Sequence, residues 1–361
     1  MSLLEDSGNK ILRLCLNQTN SLLFVGTSKG FRIVKVDDAS ISSIHEISTN
    51  QQFIGGFSLI APMFSTQLLC LVGSSLNANY PPNYLYFWDE YNNKAKGDIR
   101  FRTPVKNVLI RRDMVVIVLE KLTYVYMLNT LKPVASIPTL DNEFGVGAIS
   151  YDKDNFILAT LNTRVGTIRV ENFYQGEVNE KLMYDSPIGF IMVDFFGNLG
   201  ACSVANGTII RVFDCKTLDI FHNFVRGSSS ALISSMAFSP SGAYLLAASN
   251  KSTIHLWNLK ATESLSVSKI MSRFSSYFDY ERSVAKIQII PELLLACEQS
   301  TSTGPAICWR GENEFYVAHL DGKLYLCKFD EVQNLITIER NNYFMQSFEE
   351  ISDDTEWVTL D

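Results

Sequence analysis

Residues 233–240 read ISSMAFSP, residues 244–249 read YLLAAS and residues 253–257 read TIHLW. Apolar and polar side chains alternate through each run, and Ser239-Pro240-Ser241-Gly242 supplies turn residues between the first two. Period-two alternation broken by turns is the pattern of antiparallel strands, because successive side chains leave a strand on opposite faces. Weaker copies of the phrase start near residues 12, 54, 105, 147, 188 and 306. Their third runs fall at Phe31–Val36, Tyr84–Trp88, Thr123–Tyr126, Gly166–Val170, Thr208–Phe213 and Lys323–Phe329, beside Thr253–Trp257 of the clearest copy. A recurrence at about 40 residues is the period of propeller blades.

Seven copies with no helical stripe between them predict an all-β chain: a seven-bladed β-propeller of WD40-like repeats. One blade cannot bury both of its faces, so residues 1–343 are expected to form one cooperative ring rather than separable domains. Two stretches break the rhythm. After Trp257 the outer strand of the sixth blade is expected only at Ser283–Ile290, which leaves an excursion over 259–282, and connections of that length are often functional. Residues 344–361 carry Glu349, Glu350, Asp353, Asp354 and Glu356 and read as a solvated acidic tail that Trp357 can tether.

The 361-residue chain has a net charge of −7, which argues against a general nucleic-acid binder, since that requires a broad basic face. An anionic ligand must therefore meet a local patch. No 18-residue apolar run is present to span a bilayer, and Met1–Asp6 is acidic and lacks a secretion signal. Seven scattered cysteines fit a reduced, cytoplasmic protein with thiols used as core filler; the glycosylation pattern at Asn206-Gly207-Thr208 then means nothing. His45, His222, His255 and His319 lie in unrelated segments without metal-ligand spacing or a nucleophile motif, so catalysis, metals and cofactors are not expected.

Ser249, Lys251, Thr253 and His255 recur at every second residue, a spacing that presents two hydroxyls, an ammonium and, as a second cation, a protonated imidazole on one face. Arg226 precedes Gly227; a guanidinium grips phosphate through two parallel bonds, and a glycine lets backbone approach a ligand. The alternative is an ordinary solvated turn beside a histidine packed between blades.

A longer resemblance extends this reading. Residues 207–214 (GTIIRVFD), 224–227 (FVRG), 237–240 (AFSP) and 251–255 (KSTIH), with Val105–Val108, Arg111-Arg112-Asp113, and Tyr277-Phe278 ahead of Glu281–Val284, resemble the PROPPINs. These are β-propellers that bind polyphosphoinositides and act in autophagy. The likeness covers about residues 10–340. The family hallmark is Phe-Arg-Arg-Gly, each arginine serving a separate rim pocket; here the first arginine position is Val225 and the second Arg226. The resemblance implies a second pocket of Arg226, Gly227, Ser249, Lys251, Thr253 and His255. The first is depleted: Tyr184 stands for a usual histidine and Val204 for a usual serine, while Thr208 and Arg211 match. One competent pocket is expected.

The excursion holds Ile270, Met271 and Phe274 among Lys260, Lys269, Arg273 and Arg282, a composition suited to shallow insertion at an anionic interface. Residues 205–282 carry a local charge of +3 against −10 for the remainder. The expected protein is a monomeric adaptor, peripheral on preautophagosomal, endosomal or vacuolar membranes that carry phosphatidylinositol 3-phosphate or 3,5-bisphosphate. The resemblance implies lipid-transfer or conjugation machinery as its protein partner. A scaffold that binds only proteins is the rival, with Lys94, Lys96, Arg100, Arg102, Lys106, Arg111 and Arg112 near Pro81-Pro82 and Tyr84 as its docking surface.

Overall fold

The computed structural model describes residues 9–46, 53–260, 280–290 and 304–345. Among them the strands form seven sheets, each laid down in chain order and antiparallel but for one short strand added to blade five. Blades one to four span residues 11–46, 57–100, 107–138 and 147–182; blade five spans 188–225, blade six 233–258 with 285–288, and blade seven 306–343. The first strand of each blade lies innermost and meets the first strands of both neighbours, so the ring closes between Ala306–Trp309 and Ile11–Leu16.

The expected third runs are the third strands of the blades. Thr253–Asn258 shows the continuous burial of a strand covered on both sides: Ile254, His255, Leu256 and Trp257 are all buried. The hydrophobic clusters each span a junction between adjacent blades, seven clusters for seven junctions. Phe24, Phe31, Phe57 and Trp88 join blades one and two, while Phe224, Leu245 and Trp257 join five and six. Burial of apolar side chains contributes about 25 cal/mol per Å2, so removing one blade would strip two junctions at once. The cysteines described are unpaired, and all but the partly covered Cys15 are buried.

Two boundaries differ from the sequence reading. Phe344 and Met345, assigned to the tail, pack in the cluster that closes blade seven on blade one. Their apolar character decides this, and the acidic residues follow only afterwards. The outer strand of blade six is Ala285–Gln288, shorter than expected, because the chain first pairs with blade five. Glu281–Arg282 runs parallel to Phe224–Val225 as a fifth strand, and His222 Nδ1 lies 3.0 Å from Glu281 Oε1. Two residues are too few to show a periodicity.

Candidate anion-binding site between blades five and six

Arg226 follows the outer strand Ile220–Val225 of blade five, and its N–H donates to Thr208 O at 2.9 Å. Only 8% of the residue is exposed. Its Nε donates to Gly207 O at 2.6 Å and its Nη2 to Ser229 O, which fixes the guanidinium plane. A guanidinium has five N–H donors, so three remain without a partner among the described residues. Burial lowers the Arg226 pKa, in the direction expected for a desolvated cation.

Blade six supplies the opposite wall. The hairpin turn closes with Ser252 N donating to Ser249 O at 2.9 Å, which leaves Lys251 exposed and Thr253 half-buried at the start of the strand Thr253–Asn258. His255 stacks on Trp257 at 5.5 Å, Trp257 on Phe224 at 5.2 Å and Phe224 on His222 at 5.1 Å. This column of rings crosses the junction and sets His255 beside the end of the strand that leads to Arg226. Ser249 is fully buried, and its Oγ has no partner among the described residues. A Cβ added at Gly227 meets nothing within 4 Å, so open space surrounds that backbone.

One expected role changes. The sequence reading counted His255 as a second cation. Burial, then the charges of Arg226 and Lys286, push its pKa down to about 4, so the ring is neutral at neutral pH. Its Nδ1 lies 3.0 Å from Ser283 Oγ. With Nδ1 accepting from that hydroxyl, Nε2 carries the proton and is available as a neutral donor. Lys286 stands opposite His255 in the sheet register and supplies the ammonium that the sequence reading missed. Pairing the predicted outer strand against residues 253–257 was the signal for it, but its register was not legible.

The junction between blades four and five is furnished differently. Tyr184 is buried and donates its hydroxyl to Cys202 O at 2.7 Å. The Arg211 guanidinium lies 4.7 Å above the Tyr184 ring and its Nε donates to Asn223 Oδ1 at 2.9 Å. Thr208 Oγ1 donates to Asn206 Oδ1 at 2.7 Å, Val204 is buried and Val225 is half-buried. The two residues that match the resembled family thus both have internal partners.

In the basic segment, Lys94, Lys96, Arg100 and Arg102 are exposed. Arg111 is not part of that surface: it is 2% exposed, held by Asp113, Tyr174 and the carbonyls of residues 150, 152 and 155, and lies 4.5 Å over Phe156. An arginine in a sequence run is counted as surface charge, whereas its direction is set by the sheet register. Ile270, Met271 and Phe274 lie outside the described residues; the flanks at Lys260, Tyr280 and Arg282 are exposed.

The fold and this rim define the class, a seven-bladed propeller with cationic and hydroxyl side chains gathered at its edge. The family model described as PROPPIN matches residues 11–292, and the chain belongs to that family. It is similar to autophagy-related protein 18e of Arabidopsis thaliana, with 27% identity over 94% of this chain and 89% of that one. Among solved structures, Hsv2 of Kluyvelomyces marxianus superposes with a TM-score of 0.73 at 19% identity, covering 93% of this chain and 99% of the other. KlAtg21, solved in complex with the coiled coil of AgAtg16, gives 0.71 at 19% identity, covering 93% and 100%. PROPPIN propellers are non-catalytic, and the chain is an adaptor-type propeller linked to autophagy machinery rather than an enzyme.

Proposed function

We propose that this protein is a cytoplasmic, peripheral membrane adaptor that binds phosphatidylinositol 3-phosphate or 3,5-bisphosphate through one headgroup site between blades five and six. The observation that carries the reading is the company of Arg226. A buried guanidinium with three donors in reserve shares its junction with the neutral ring of His255, the ammonium of Lys286 and the Ser249 hydroxyl that has no partner among the described residues, and the exposed Lys251 stands in the adjoining turn. A headgroup phosphate takes charge-assisted bonds from Arg226 and the lysines and a neutral bond from His255. In doing so it replaces the Ser229 carbonyl on Nη2, and movement of the exposed residues 228–230 opens a path to Ser249.

The excursion dips Ile270, Met271 and Phe274 into the interface beside the bound headgroup, and blade edges elsewhere recruit autophagy or endosomal-traffic machinery. The likeness to KlAtg21 in its complex favours a helical partner. Flotation of the protein with phosphatidylcholine vesicles carrying either phosphoinositide, against vesicles carrying phosphatidylinositol, tests the reading. Selective recovery that Arg226→Ala abolishes supports it. Equal recovery on all vesicles, or recovery indifferent to Arg226→Ala, refutes it and leaves a scaffold that binds only proteins, a reading favoured by the exposed cations of blade two.

A further inference from the structure

Blade six closes its second hairpin in an unusual way. In blade five the equivalent turn ends with Gly207 N donating to Val204 O at 2.8 Å, and in blade seven with Gly322 N donating to His319 O at 3.2 Å. Both glycines have positive φ, +64° and +78°. The blade-six turn ends with the same bond, Ser252 N to Ser249 O, but the residue is serine at φ +58°. Glycine enters the left-handed region freely, whereas a Cβ there meets the neighbouring carbonyl. Ser252 carries that strain where blades five and seven use glycine, so a contact that holds it there is stabilising.

The restraint comes from blade seven. Ser252 Oγ lies 2.7 Å from His319 Nε2, and His319 is fully buried. His319 Nδ1 lies 3.2 Å from Asp321 Oδ1, and Asp321 Oδ2 accepts the hydroxyl of Tyr325. Burial opposes the Asp321 charge, but the bonds from His319 and Tyr325 outweigh it and hold its pKa below the usual range. Asp321 thus holds the Nδ1 edge of His319 with its carboxylate and with its N–H at 3.3 Å, and Nε2 shares a hydrogen bond with the Ser252 hydroxyl. Serine, histidine and aspartate stand here in the order of a nucleophilic triad. Yet all three are buried, and neither the central channel nor the cleft between blades four and five reaches Ser252. The arrangement is a brace.

We propose that His319 is a positioning residue for the headgroup site, acting through Ser252; the inference rests on the reading of that site given above. Ser252 lies directly between Lys251 and Thr253, three residues from Ser249, and its carbonyl accepts Ile289 N at 3.0 Å beside the outer strand that carries Lys286. Release of Ser252 from the left-handed region rotates the peptide that joins Lys251 to Thr253. The ammonium and the hydroxyl then no longer converge on one phosphate. A ligand group 1 Å out of place is enough to lose most of a charge-assisted bond.

The test is calorimetric titration with soluble inositol 1,3-bisphosphate, which removes membrane avidity. Ser252→Ala keeps the strain and loses the brace; Ser252→Gly loses the brace but no longer needs it. Ser252→Ala and His319→Ala should each weaken binding about five- to tenfold, the scale of one lost hydrogen bond. Ser252→Gly should stay within about twofold of the native protein on the same scale, and Ser252→Gly should restore the binding lost in His319→Ala. A structural role alone would not predict that rescue. Native-like binding by Ser252→Ala and His319→Ala, or equal losses for the alanine and glycine variants, overturns the proposal while Arg226→Ala still abolishes binding. Native-like binding by Arg226→Ala instead overturns the headgroup site itself. Should His319→Ala fail to fold, the Ser252 pair decides alone.

Discussion

Blade five carries an arginine toward each of its neighbours, and the two are used differently. Toward blade four, Arg211 lies on the Tyr184 ring and donates to Asn223, with Val204 and Val225 beside it. Toward blade six, Arg226 is held, among the described residues, by backbone carbonyls, and it shares its junction with His255, Lys286 and a Ser249 hydroxyl that has no partner among those residues. A ring face and an amide side chain hold the Arg211 guanidinium in place from within the fold. Carbonyls orient that of Arg226 but leave donors and neighbouring cations without an anion to bind. One strand therefore separates an arginine held by side chains from one held by backbone carbonyls, and the proposed phosphate site rests on the second.

The largest effect should come from exchanging these two arginines for alanine. Arg226→Ala removes a charge-assisted contact worth about 1.5–3 kcal/mol, so headgroup affinity should fall about ten- to a hundredfold. Arg211→Ala should change it by less than about twofold, because its bonds are internal. Equal losses would mean that both junctions bind. Val225→Arg attacks the comparison from the other side. Returning a cation to the depleted junction should raise the headgroup stoichiometry from one to two and tighten vesicle binding about tenfold, by avidity. Arg282, in register beside Val225 on the returning strand, already brings one exposed cation near; a native stoichiometry of two would show that it suffices.

A smaller loss is expected from the triple substitution of Ile270, Met271 and Phe274 by Asp. Removing shallow insertion should weaken vesicle recovery about threefold to tenfold while leaving soluble-headgroup binding and thermal unfolding unchanged. Recovery equal to that of the native protein would leave the headgroup site as the only membrane contact.

The repeat made the ring legible because each blade restates one alternation, and blade six states it with Ser239-Pro240-Ser241-Gly242 and a terminal Trp257. The alternation of Ser249, Lys251, Thr253 and His255 also placed most of one wall of the site. What escaped notice depends on pairs distant in the chain. Lys286 stands beside His255 through sheet register, Ser283 bonds the His255 ring from beyond the excursion, and His319 reaches Ser252 from the next blade. The charge of His255 escaped for a different reason: residue type gives its ordinary pKa, but the surrounding burial and cations decide the shifted one.

That shift separates the two junctions by pH as well. The folded protein keeps His255 neutral down to about 4, whereas the unfolded chain takes up its proton near 6.5. Between those values the unfolded state binds more protons, so stability rises with pH across the window. The contribution is complete above about pH 6.5 and is lost as pH falls toward 4, amounting to about 3 kcal/mol at most. Tyr184, at the other junction, has its pKa raised well above 10 by burial and does not titrate there. Urea unfolding of the native protein and His255→Asn at pH 7.5, 5.5 and 4.5 reads the difference. The native protein should lose more stability than the variant between pH 6.5 and 4.5, whereas Tyr184→Phe should keep the native slope. Parallel slopes for His255→Asn and the native protein would mean that the ring is protonated in the fold, and the junction would then hold a second cation after all.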